Sequence, residues 1–168
     1  MTADDDRLKA GLERGLALFS DKQYEAALLV YNALIAAYPD CTELFFRRGG
    51  VYFLLKRYDE SIADRDRAEA LGRRNAQLYF VRAMTKVEAG YFRLAIEDFE
   101  KAEAHDDDGY FGDILRLERA DCYVELGMYG MAIAECMQVD DNYLRPNWPG
   151  AVGAKQRYIA AIKKRQGH

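Results

Sequence analysis

The stretch LKAGLERGLALFSDKQYEAALLVYNALIAAYPDC, residues 8–41, decides the fold. It holds two apolar-periodic segments of helical length, parted by the polar run Ser20-Asp21-Lys22, and it ends beside Pro39. A small residue sits in each segment, Gly15 in the first and Ala27 in the second, and Tyr24 follows the turn. Small residues let two antiparallel helices cross closely, and an aromatic just past the turn fills the space at the base of the second.

The same columns recur along the chain. Gly15 is followed by Gly49, Ala83 and Ala120; Ala27 by Ser61, Ala95 and Ala132. Tyr24 is followed by Tyr58, Phe92 and Tyr129; Leu34 by Ala68, Ala102 and Val139. The spacings are 34, 34 and 37 residues in every column. Turn signals fall where each pair must reverse, at Ser20-Asp21-Lys22, Lys56-Arg57, Gly90 and Gly127. A single helix pair leaves an apolar face that only the next pair can cover, so a register of this kind specifies a stacked array.

This pattern resembles the tetratricopeptide repeat family over residues 8–146, with repeats at about 8–41, 42–75, 76–109 and 113–146. Tyr110-Phe111-Gly112 form a three-residue insertion before the last repeat. The resemblance implies an all-α fold: a right-handed superhelical solenoid of antiparallel helix pairs, read as one domain over 1–168. The family's second-helix aromatic is present at Tyr31 and Phe99 but replaced by Arg65 and Cys136. The closing proline is missing after repeats two and three. The second helix of repeat four is expected to stop near Val139, leaving a loop over 140–150 that holds Tyr143 and Trp148. Both of these aromatics are candidates either for partner contact or for anchoring the loop. An amphipathic helix at about 151–165 should follow and cap the array, with Val152, Lys155, Tyr158, Ile159 and Ile162 on one face.

Composition agrees with a globular chain. Half of the 168 residues are hydrophobic, 31% are charged, and the net charge is −4 with both signs interspersed. No basic tract points to nucleic acid, and no run of about 18 apolar residues points to a membrane span. The start, MTADDDRLK, lacks the apolar segment of a secretory signal. Cys41, Cys122 and Cys136 are odd in number and have no CxxC spacing, so a reducing, cytoplasmic setting is the expectation.

An arginine precedes the small residue of each first helix: Arg14, Arg48, Arg82 and Arg119. Three of them have an acid 16 residues later, giving the pairs Arg48–Asp64, Arg82–Asp98 and Arg119–Glu135. That spacing joins facing turns of one helix pair, so these are read as structural bridges. Arg14 has Val30 at that place instead.

No catalytic, metal or cofactor site is expected. The two histidines, His105 and His168, stand in no triad, and Cys122 and Cys136 read as core fillers. HDDDG, residues 105–109, fails the calcium-loop pattern, because Ala104 and Leu115 would fall at the first and last ligand positions. It reads as a polar loop leading into the next helix.

The resemblance implies that a concave surface is built from the first helix of each repeat. Here those positions hold, among others, Leu12, Leu16, Phe46, Gly50, Phe53, Leu54, Phe80, Met84, Leu117 and Val124, with Lys9, Ser20, Glu43 and Gln77 interspersed and Asp121 and Glu125 near Glu88 at one end. Such a surface is unusually apolar, which suits a partner's extended segment or helix. The acidic end suits a basic residue in that partner. Related domains that grip chaperone C-termini use a clamp of Lys, Asn and Arg; the matching positions here are Leu12, Leu16, Arg47, Gln77 and Val81, so that role is rejected. The expected function is a protein-interaction module, an adaptor or chaperone-like holder. The alternatives are an inhibitor or immunity protein that covers a folded toxin or enzyme, and a structural subunit that dimerises.

Overall fold

The computed structural model describes residues 3–141, 143 and 154–167. Among them are nine helices and no strand. In order these are α1 (Ala3–Ser20), α2 (Tyr24–Ala37), α3 (Thr42–Leu54), α4 (Tyr58–Ala70), α5 (Ala76–Glu88), α6 (Phe92–Ala104), α7 (Gly112–Glu125), α8 (Tyr129–Met137) and α9 (Ala154–Gln166). The first eight form four hairpins, as the repeat register requires. The expected short α8 and the expected final helix are both present, the latter starting at Ala154. Trp148 and Val152 lie outside the described residues.

Each hairpin turns by the same device. The chain leaves the first helix through one residue of positive φ: Lys22 (59°), Lys56 (58°), Gly90 (80°) and Gly127 (71°). The amide that follows then donates back across six residues, as in Gln23 N to Leu18 O and Arg57 N to Tyr52 O. Tyr91 N to Lys86 O and Met128 N to Tyr123 O repeat the motif. These bonds satisfy carbonyls that a helix end leaves open. Between hairpins, Pro39 keeps Tyr38 out of the helical region (φ −131°, ψ 68°), and α2 ends there. The Asn75 side chain accepts from Leu78 N at 2.9 Å and caps α5.

The chain divides into two compact units, Met1–Arg74 and Asn75–His168. The core of the first is built on Ala27, Leu28, Tyr31, Leu34, Leu44 and Val51. In it, α1 and α2 cross where the Gly15 backbone meets the Tyr31 ring and the Gly11 backbone meets Leu34. The contacts pair ascending with descending residues, so the helices run antiparallel. Phe19 packs edge-on against Tyr24 (5.9 Å between centroids), and Phe53 tilts against Tyr58 (6.0 Å), closing the base of each hairpin.

The second unit has a core of Phe99, Leu115, Leu117, Cys122, Cys136 and their neighbours, with Ile162 of α9 buried in it. Here α9 lies on α8 as the capping helix. Lys155 Nζ sits 2.6 Å from Val139 O and 3.2 Å from Met137 O, where the ammonium complements the negative end of α8. Lys155 also reaches Asp141 at 3.1 Å.

Candidate partner-binding faces

The three expected ion pairs are formed. Arg48 meets Asp64 through two bonds of 2.8 and 2.7 Å, and Arg82 meets Asp98 through two of 2.7 Å. Arg119 meets Glu135 through bonds of 3.0 and 2.9 Å. Hydrogen bonds to Asp64 raise the Arg48 pKa. At Arg119 burial pulls the other way, but the bonds to Glu135 and Glu103 outweigh it and raise the pKa. Asp98 is almost wholly enclosed and also holds Lys86 at 2.7 Å.

These arginines do something that the spacing did not announce. Arg48 reaches back to Asn32 Oδ1 at 2.7 Å, and Arg119 reaches back to Glu103 at 2.5 Å. Each therefore ties its own hairpin together and also grips the helix before it. The signal was present in the sequence: Asn32 and Glu103 stand 16 residues before their arginines, mirroring the acids 16 residues after.

Arg65, which occupies the family's aromatic position, is buried. Its guanidinium donates to Gly49 O at 3.1 Å, to Ser61 O at 3.2 Å and to Ser61 Oγ. Ser61 Oγ itself donates to Gly49 O at 2.6 Å. An added Cβ at Gly49 would meet Ser61 O at 3.2 Å, so the missing side chain makes room for this polar replacement.

The first-helix positions separate into three groups. In the first unit, Leu12, Phe46 and Phe53 are half-buried, while Leu16 and Leu54 are exposed at 44% and 41%. Gly50 lies in this row with open space where a side chain would be. One face of Phe46 is covered by the Arg73 guanidinium, 3.6 Å from the ring centroid, and Arg73 is fixed by Glu43 at 2.6 Å. In the second unit, Met84 is half-buried, and so is Phe80, stacked between Phe111 (4.9 Å) and Phe99 (6.1 Å). The insertion thus supplies Phe111 as packing for Phe80. The third group is spent inside. Leu117 is fully buried and Val124 nearly so. Asp121 accepts a hydrogen bond from the Tyr158 hydroxyl of α9. Of the positions at the acidic end, Glu125 is exposed and borders a recess of about 270 Å³ shared with Tyr158, Ile162 and Arg165.

Burial pushes the Cys122 and Cys136 thiols up to about 12, with nearby carboxylates adding to the shift. A thiol held neutral in this way is a poor nucleophile. Asp106 Oδ2 accepts from Phe111 N at 2.8 Å, so the polar loop serves the start of α7. Among the described residues no three His, Cys, Asp or Glu side chains gather as a metal would need, and no helix is long and apolar enough to cross a membrane.

Comparison with known proteins places this geometry. The family model described as tetratricopeptide repeat matches residues 12–76. Human serine/threonine-protein phosphatase 5 is 30% identical over 93 residues, which is 54% of this chain and 19% of that protein. The chain therefore spans about a fifth of that relative's length. Among solved structures, YrrB, described as a TPR protein with an unusual peptide-binding site, superposes with a TM-score of 0.68 at 18% identity, covering 94% of this chain and 73% of its own. The TPR2B domain of yeast Sti1, solved with an Hsp70 peptide complex, gives a TM-score of 0.63 at 17% identity, covering 68% of this chain and 94% of its own. MamA from Desulfovibrio magneticus gives 0.69 at 14% identity over 96% of this chain and 78% of its own. The chain carries the tetratricopeptide repeat fold, and its residues 12–76 carry the sequence signature of that family.

Proposed function

We propose that this chain is an adaptor or chaperone-like holder that binds a segment of another protein on the first-helix faces of its repeats. The fold supports protein–protein interaction in general; the choice of face is the proposal. The observation that carries it is the row in the first unit, where Leu16 and Leu54 are exposed and Gly50 leaves open space. Exposed leucines along one row of helices are a surface that a partner's apolar side chains can cover. In the second unit Met84 offers an adaptable contact and Glu125 a charge, while Leu117 belongs to the core. The role is binding rather than catalysis, and the expected setting is the cytoplasm.

Selection from a displayed library of unstructured peptides tests the reading. Enriched peptides should bind the purified chain and lose at least about tenfold in affinity to Leu16→Asp or Leu54→Asp, both of which should keep the helical circular dichroism of the parent. Peptides that bind both variants as tightly as the parent would reject the face. These leucines are better probes than Phe46 or Phe80, whose rings are committed to Arg73 and to Phe99 and Phe111.

A further inference from the structure

A second surface lies on the first hairpin and is formed by α1 and α2 alone. Arg7, Gly11 and Arg14 of α1 and Leu29, Val30 and Ala33 of α2 line a recess of about 390 Å³. Leu29 is 73% exposed, more than Leu16 or Leu54. Arg14 is exposed and has Val30 where the other ladder arginines have an acid.

Arg14 belongs to the column of Arg48 and Arg119. Each of those donates to an oxygen on the helix before its own, Asn32 Oδ1 at 2.7 Å and a Glu103 carboxylate oxygen at 2.5 Å. The recess thus combines apolar side chains for a helix to cover with an arginine placed to take an oxygen from that helix. Its charge selects the occupant. Arg7 and Arg14 make it basic, so a second copy seated face to face would set arginines against arginines. The described part of α9 offers Lys155, Lys163, Lys164 and Arg165 and no acid, so it does not complement the recess either.

We propose that this face docks an amphipathic helix of another protein that carries a carboxylate within its apolar stripe, the carboxylate pairing with Arg14. The helix would lie where a preceding repeat's second helix would lie, and the contact is independent of the first-helix row.

The probe is the chain's own ladder-feeding helix, a fluorescein-labelled peptide of residues 91–105 with blocked ends, titrated into the intact protein and read by anisotropy. Its Glu103 is the residue that feeds Arg119. Saturable binding is expected, weakened at least about tenfold by Arg14→Glu, and restored on Arg14→Glu by a peptide carrying Glu103→Lys. Leu29→Ser should weaken both pairs, and Leu54→Asp should weaken neither. Because Arg14 is exposed, its variant should melt as the parent does. Absence of saturable binding, or equal binding by parent and Arg14→Glu, would overturn the proposal. So would a dimer of the chain alone in sedimentation that Arg14→Glu dissolves, which would assign the face to a second copy.

Discussion

Gly15 and Gly50 both lie inside first helices, in opposite surroundings. A Cβ on Gly15 would lie 2.6 Å from the ring of Tyr31, which is fully buried and cannot swing away. Gly15→Ala should therefore lower unfolding free energy by about 1–3 kcal/mol, the usual cost of overpacking a filled core. A Cβ on Gly50 meets nothing within 4 Å. Gly50→Ala should raise stability by about 0.5–1 kcal/mol through helix propensity alone. Urea titrations of the two variants check both signs. The first glycine was legible in the repeat register, because its column calls for a small residue. The second was not, since nothing in the sequence says whether a neighbour fills the space beside it. The same holds for Lys22 and Lys56. The polar break marked the turn, but only the backbone shows that a lysine, which bears the Cβ penalty there, adopts the positive φ that Gly90 and Gly127 take freely.

Helix pairs are held by burial and by a chain of charges, and the charges are the more fragile part. Asp98 is the clearest case, enclosed between Arg82 and Lys86 at 2.7 Å each. Asp98→Ala leaves two cations facing an emptied, buried place and should cost about 3–5 kcal/mol. Replacing all three, with Asp98→Leu, Arg82→Met and Lys86→Met, should recover much of that loss, because the two cations closest to Asp98 go with it and only the half-exposed Lys101, 3.9 Å away, stays charged in water. Thermal melts of the single and triple variants separate the two effects. The intra-hairpin bridges could be read from the 16-residue spacing alone. The backward arms to Asn32 and Glu103 are harder to read, because the same spacing upstream gives an asparagine in one repeat and an acid in another, and an asparagine looks like no ion-pair partner. Leu117 shows another limit of reading by column. Its position in the repeat is a surface position in the implied pattern, yet here it is fully buried. The final helix covers this end of the second unit, burying Ile162 and bonding Tyr158 to Asp121. Ile162 is therefore committed to the cap.

For the molecule as a whole, the repeat register makes the helical architecture legible in the sequence, because several columns share one period. Function was less legible, since whether an apolar first-helix residue faces a partner or a neighbour depends on the insertion and the cap. Stability against pH follows from the two enclosed thiols. In the folded chain they stay protonated up to about 12, whereas their ordinary value is 9.0. The contribution is thus complete below about pH 9 and is lost as pH rises from there toward 12, because the unfolded chain releases those protons first. The melting temperature should hold level from pH 7 to about 8.5 and decline above about pH 9, and part of that early decline should vanish in the Cys122→Ala, Cys136→Ala double variant. Buried Tyr31 and Tyr123, also shifted upward by burial, would steepen the fall at higher pH.

On the proposed reading, first-helix residues of the repeats receive a partner's segment. Its most direct test is methyl NMR of the labelled chain titrated with a peptide selected for binding. Saturating shifts at the methyls of Leu12, Leu16 and Leu54 are the predicted result. Shifts confined to second-helix methyls such as Leu94 and Met131, with the first-helix leucines unmoved, would contradict it.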